Sequence, residues 1–177
     1  RGVPPDPAAI DRAMEAADPM PDAARRVADL LNEIGHPRSV VLLPASGRTS
    51  AEAAAGLGCS VAEIAKSIIF RRVVDDRAVM VVASGANRVD EDKVAALVGP
   101  LRKANAAFVK EHTGYSIGGV CPIGHCKDTI VLVDRDLLRF DSIWAAAGHP
   151  HAVFNLSPSE LLAMTGAPVV DVAAPAA

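Results

Sequence analysis

Ile117-Gly118-Gly119-Val120-Cys121-Pro122-Ile123-Gly124-His125 places four apolar residues, three glycines and one proline in nine positions, and the next formal charge is Lys127. Glycine admits backbone conformations closed to other residues and lets another molecule approach the main chain. Proline fixes one dihedral and removes one N–H donor. The stretch lies between a polar lead-in, Lys110-Glu111-His112-Thr113-Gly114, and an apolar run from Thr129 to Val133. So uncharged a turn is either a tight buried bend or a surface made of main chain, and composition leaves both open.

Working outward, 177 residues suffice for one domain with a real core. Half the residues are hydrophobic but only 3% are aromatic, so Val, Ile, Leu and Ala must build that core. A net charge of −3 argues against gripping a long nucleic-acid backbone and leaves room only for a short end. No apolar run approaches the roughly 20 residues of a membrane span, and the N-terminus lacks a charged-then-apolar signal pattern. Three cysteines, an odd number, argue for a reducing compartment rather than a disulfide framework. The expectation is a cytoplasmic protein with no membrane partner.

Residues 1–21 carry five prolines and read as a loosely held lead-in with a helical turn or two around Ala8 to Ala17. Val27, Leu30, Leu31 and Ile34 recur at helical spacing from Asp22, and Gly35 and Pro37 stop that helix. Arg38 to Leu43 reads as a strand. Three capping boxes, Thr49-x-x-Glu52, Ser60-x-x-Glu63 and Ser157-x-x-Glu160, mark helix starts, the last with Pro158 at the first helical position. The middle helix is short, because Ser67 to Val74 is strand-like. Ala78 to Ala83 returns as a hairpin, Asp90 caps a helix through Leu97, and Thr129 to Val133 is a strand with a helical turn near Asp136. Ser142–Ala147 and Ala152–Leu156 pair across Gly148-His149-Pro150, followed by a helix over Ser159–Met164 and a short strand, Val169–Val172. Strands outnumber helices, which favours an α+β domain with a mixed, strongly curved (barrel-like) sheet and flanking helices.

Several chemistries find no support. Gly119-x4-Gly124 has phosphate-loop spacing, but His125-Cys126 stand where Lys-Ser/Thr is required. Cys121, His125 and Cys126 crowd into six residues, and no second ligand pair lies at usual metal spacing. No Gly-x-Ser-x-Gly elbow or active-cysteine context supplies an acyl-enzyme nucleophile. No metal and no cofactor is expected. Lys66 is the informative charge: it reads as the end of a capped helix, directly before an apolar strand, where a lysine facing a cleft is costly unless it serves an anion. The alternative is a solvated lysine beside a helix C-terminus.

Ala65-Lys66-Ser67-Ile68-Ile69-Phe70, Asn87-Arg88-Val89-Asp90-Glu91-x-Lys93, Thr113 through His125, and Ile143-Trp144-Ala145-Ala146-Ala147-Gly148-His149-Pro150, in this order, resemble the YbaK/prolyl-tRNA-synthetase-associated editing domain family. The likeness covers roughly residues 22–173, and within the family it is most similar to free-standing bacterial members. The resemblance implies a YbaK-like fold and trans-editing hydrolysis of the ester joining a wrong small amino acid to the 3′ end of a tRNA, chiefly tRNA(Pro). Alanine, cysteine, serine, threonine and 2-aminobutyrate are all small enough; alanine is favoured if His149 gives the pocket a polar wall. The prolyl-tRNA synthetase itself is a conceivable partner.

By the same resemblance, Lys66 matches the family lysine essential for activity and thought to engage the phosphate of the tRNA end. Gly118 and Pro122 match its Gly-x-x-x-Pro motif, whose backbone, with Gly119, positions the substrate. Lys66 and Gly118 are therefore the expected catalytic positions. Thr49, Asn87 and His149 are expected to line the substrate cleft, although a helix cap, a loop cap and an exposed turn histidine explain them equally. An activated ester needs no protein nucleophile if water, ribose hydroxyl and carbonyl are held correctly. The competing reading is a non-catalytic binding module for aminoacyl-tRNA, a synthetase or other nucleic acid; the low charge speaks against duplex DNA, although Arg71-Arg72 and Arg102-Lys103 could flank a cleft.

Overall fold

The computed structural model describes residues 20–43 and 49–175; the helical turn expected around Ala8–Ala17 lies outside them. Helix α1, Asp22–Glu33, buries Ala24, Val27 and Leu31, one face at the spacing the sequence shows. Asp22 in its first turn suits the positive end of the helix dipole, and Gly35 just beyond it has φ +73°. Strand β1 (Val40–Leu42) follows, then α2 (Ser50–Leu57), capped by Thr49 Oγ1, which accepts from the Glu52 N–H at 3.1 Å.

Strand β2, Ile64–Arg72, runs antiparallel to β3, Ala78–Ser84, along Ala65↔Ser84 to Arg71↔Ala78. Every residue of β3 is buried, as expected of a strand flanked by neighbours and covered on both faces. Its alternation divides the core. Met80 and Val82 join Ala65, Tyr115, Val120 and Phe154 on one face, while Val79, Val81 and Ala83 join Phe70, Val94 and Leu132 on the other. Helix α3 (Glu91–Val98), strand β4 (Leu101–Lys103) and helix α4 (Ala106–Thr113) lead into the glycine-rich turn. Beyond it come β5 (Ile130–Asp134), a 3₁₀ turn (Arg135–Arg139), β6 (Ile143–Ala146), β7 (Ala152–Leu156), α5 (Pro158–Thr165) and β8 (Val169–Val170).

The eight strands form one sheet in the order β1-β7-β6-β2-β3-β5-β8, with β4 paired to β2 off that path. Four antiparallel and three parallel pairings make it mixed, and the domain is α+β. One irregularity positions the site. On the edge of β2 away from β3, β6 pairs only with Ile64 and Ala65, and β4 only with Phe70 to Arg72. Lys66 to Ile69 therefore meet no strand there among the described residues.

Two expectations are corrected. The Ser60 capping signal is real, for the Glu63 carboxylate accepts from both the N–H and the hydroxyl of Ser60, but it starts only a 3₁₀ turn, Val61–Glu63. β2 begins at Ile64, so Lys66 is a strand residue and no helix C-terminus serves it; β-branched Ile64, Ile68 and Ile69 pair better than they coil. The segment read as a polar lead-in is instead helix α4, capped by Asn105 Oδ1 on the Phe108 N–H at 2.8 Å and closed by Gly114 at φ +81°.

Candidate active site

The glycine-rich turn is neither of the simple alternatives. Ser116 to Gly118 are exposed, whereas Gly119 to Pro122 are buried. Three hydrogen bonds fix its base: Tyr115 Oη donates to the Ile123 carbonyl at 2.8 Å, Arg26 donates to the Gly124 carbonyl, and His125 Nε2 meets the Cys121 carbonyl at 2.7 Å. The Arg26 guanidinium also lies 5.0 Å from the Tyr115 ring centre. Burial pushes the Cys121 thiol up to about 12, so it stays protonated and is no nucleophile. Tip and base are thus a rigid backbone shelf with an exposed lip.

That shelf passes close to the β6–β7 turn. A Cβ built on Gly119 would stand 2.7 Å from both Cα and N of His149, so the two main chains touch. Gly118, at φ +90°, faces Pro150. Between the two turns and β2 lies a cavity of about 230 Å³ whose walls include Thr49, Lys66, Gly118, Trp144, Pro150 and Val153. Lys66, Gly118 and Thr49, from three distant parts of the chain, therefore share one hollow. Apart from Lys66 its walls carry no charged side chain.

Lys66 also borders a second hollow of about 590 Å³, with Asn87, Arg88, Glu91 and Lys103. Its ammonium donates to the Asn87 main-chain carbonyl at 2.5 Å. Partial burial lowers its pKa from the ordinary lysine value, and the nearby Asp134 charge opposes that shift. Asp134 is almost wholly buried and accepts from the Ser84 N–H at 3.1 Å and the Asn87 amide at 2.8 Å. The same Asn87 amide reaches Asp136 at 2.7 Å. The Asn87 side chain is thus spent on two carboxylates, and what it offers Lys66 is its backbone.

The other expected positions fall outside the smaller hollow's wall. Pro122 is buried within the turn. His149 lies in the hairpin turn, its Nδ1 accepting from the His151 N–H at 3.1 Å and its backbone packed on Gly119. Sequence reasoning missed Asp134, which closes a strand without any local mark of burial. It also missed Ser67, whose Oγ is buried with no hydrogen-bond partner among the described residues.

Comparisons with known proteins identify the family and the fold. Residues 45–164 match the family model described as the aminoacyl-tRNA editing domain. Uncharacterized protein YwhH of Bacillus subtilis (strain 168) is 37% identical over 117 residues, 66% of this chain and 74% of that protein. The crystal structure of a proposed trans-editing enzyme for prolyl tRNA synthetase is 43% identical, with a TM-score of 0.83 over 89% of this chain and 100% of that one. The hypothetical protein APE2540 is 35% identical, with a TM-score of 0.78 over 84% of this chain and 99% of that one. With a family model matched over residues 45–164 and solved structures that share its fold over 84–89% of its length, the chain belongs to the aminoacyl-tRNA editing domain family, and its substrate class is the aminoacyl-tRNA.

Proposed function

We propose that the protein acts in trans to hydrolyse the ester of a mischarged tRNA, with tRNA(Pro) carrying a small wrong amino acid as the substrate. The observation that carries this reading is the hollow of about 230 Å³ shared by Lys66 and the Gly118 lip. Its small apolar wall, with Ala53, Ala145 and Val153, suits a short aliphatic side chain. Alanine is the favoured residue on that ground, and not on the polar wall expected from His149.

In this reaction the oxygen of a water forms the new bond to the ester carbonyl carbon. The bond from that carbon to the ribose oxygen breaks, and the ribose oxygen leaves with a proton. The Lys66 ammonium holds a phosphate of the tRNA end, the main chain at Gly118 and Gly119 orients the ester, and the ribose 2′-hydroxyl assists the water. Orientation of this kind is worth on the order of 7–11 kcal/mol in ideal cases, and backbone donors aimed at developing charge add to it. Thr49 contributes to the wall as well as to the cap of α2.

The experiment is a panel of tRNA(Pro) charged with alanine, cysteine, serine, threonine, 2-aminobutyrate or proline, each assayed for release. Release of alanine with proline spared is the expected result. Equal release of all six, or of none, overturns the reading. An apolar pocket separates neighbours differing by one methylene by only about 1–3 kcal/mol, so alanine and 2-aminobutyrate should differ by about 10- to 200-fold.

A further inference from the structure

Lys66 carries its charge on a four-carbon stem with many rotamers, and holding such a head in one place costs entropy unless something fixes it. The ammonium has three N–H donors. One goes to the Asn87 main-chain carbonyl, the hydrogen-bond acceptor that Lys66 finds among the described residues. Two donors are left over for the two hollows that Lys66 borders. Their direction depends on where the Asn87 carbonyl stands.

That carbonyl ends a turn, residues 84–87, which is gripped from several sides. The Ser84 N–H and the Asn87 amide both donate to Asp134 Oδ2, at 3.1 and 2.8 Å. The Asn87 N–H closes the turn on the Ser84 carbonyl at 2.9 Å, and the Gly85 N–H donates to the Ile64 carbonyl at 2.7 Å. A Cβ built on Gly85 would stand 2.5 Å from the Val61 carbonyl oxygen, so the turn has no room to retreat that way. Asp134 Oδ1 accepts from the Asp136 N–H at 2.9 Å, and the Asp136 carboxylate takes the same Asn87 amide at 2.7 Å. Two carboxylates thus fix the rotation of one amide. Asp134 is 1% exposed and forms no ion pair among the described residues. A buried charge is costly, and a turn that needed only an acceptor would be served by a neutral side chain. What the charge adds is attraction for an ammonium, and Lys66 lies near enough for the two to act on each other.

We propose that Asp134 and the side chain of Asn87 are positioning residues for the deacylation. Together they set the Asn87 carbonyl, which holds the Lys66 ammonium where its two remaining donors serve the substrate. Neither residue touches the substrate in this account; both act through Lys66. The inference rests on the deacylase reading and gives the Asn87 amide a task other than lining the cleft.

The test is a double-mutant cycle on kcat/KM for alanyl-tRNA(Pro), with the fold of every variant checked by its melting temperature. Asn87→Ala and Asp134→Asn are each made in the wild type and in Lys66→Ala. In the wild type each is expected to lower kcat/KM by about 10- to 100-fold, the range of a misplacement near 1 Å. In Lys66→Ala each should cost less than about twofold, because no ammonium is left to position. A second readout does not use activity: the two Hε protons of Lys66 in a proton–carbon NMR spectrum, assigned by their loss in Lys66→Ala. A held side chain gives them distinct shifts, so the wild type should show two signals and Asn87→Ala a single averaged one. Where the Lys66→Ala rates are too low to rank, this spectrum decides. Losses of the same size in both backgrounds make Asp134 and Asn87 parts of the frame only; they overturn this inference and leave the deacylase reading standing. So do wild-type rates in both single variants, or Hε shifts that Asn87→Ala leaves distinct. A wild-type protein that hydrolyses no aminoacyl ester overturns both.

Discussion

Gly119→Ala adds one methyl group at the point where the glycine-rich turn and the β6–β7 turn meet backbone to backbone. The new Cβ would lie 2.7 Å from His149 Cα and N and 2.9 Å from its C, where ordinary contacts begin at 3.4 Å. The shortfall is about 0.7 Å, the difference of those two distances, and no flexible side chain can absorb it. The turns must part, because the base of the glycine-rich turn is held by Tyr115 and Arg26 and cannot retreat as a unit. Overpacking of this kind costs about 1–3 kcal/mol, which in a chain of this size is about 2–12 °C in melting temperature. The parting moves Gly118 relative to Lys66 by a similar distance, and a misplacement near 1 Å costs about 100-fold in rate. Thermal unfolding followed by circular dichroism, and single-turnover deacylation of aminoacyl-tRNA, read the two effects. A Gly119→Ala protein with wild-type melting temperature and wild-type rate would refute the claim that the shelf is set by this contact.

The same chemical change at Gly56 should act in the opposite direction. That residue is exposed within α2, its added Cβ would meet only Leu43 at 3.6 Å, and alanine gains about 0.5–1 kcal/mol over glycine in a helix interior. Gly56→Ala is expected to raise the denaturant midpoint with activity unchanged. Burial lowers the His125 pKa below its ordinary 6.5, with the Arg26 charge adding to the effect and the Cys121 carbonyl opposing it. The unfolded chain therefore takes up this proton first as the pH falls, so stability declines with acidification below about pH 6.5 towards the folded-state value. Denaturation at about pH 7.5 and about pH 5.5 should show that decline, and His125→Gln should make it shallower. Asp134→Asn removes the charge that opposes the lowering of the Lys66 pKa. The optimum of a reaction that needs the Lys66 ammonium should then lose its alkaline limb at lower pH than in the wild type, as a pH–rate profile would show.

Elements whose ends carry chemical marks were legible before any coordinates. Thr49 and Ser157 cap helices because a hydroxyl there satisfies an N–H that has no other partner, and Gly58 and Gly166 end those helices in the left-handed region. The hairpin of β2 and β3 was legible from two apolar runs around Asp75-Asp76. Helix α4 carried the same kind of marks, Asn105 and Gly114, but its exposed Lys110 and Glu111 outweighed them in a reading by polarity. Ser60 shows the converse: a well-formed cap cannot propagate a helix when the next residues gain more by pairing along β3. For the site, local sequence distinguished Lys66 and the glycine-rich turn because a charge beside an apolar strand and three glycines together are locally odd. Asp134 and Ser67 are unremarkable in sequence, and only the pairing of β2, β3 and β5 buries them.

If Lys66 and the Gly118 lip act together on an aminoacyl ester, removing the ammonium must slow the reaction without unfolding the chain. Deacylation of alanyl-tRNA(Pro) by Lys66→Ala, at substrate concentrations well below and well above KM and with the fold checked by its melting temperature, measures this. The expected result is a folded protein whose rate below KM falls by about 100-fold or more. A folded Lys66→Ala protein that hydrolyses the ester at the wild-type rate would contradict it.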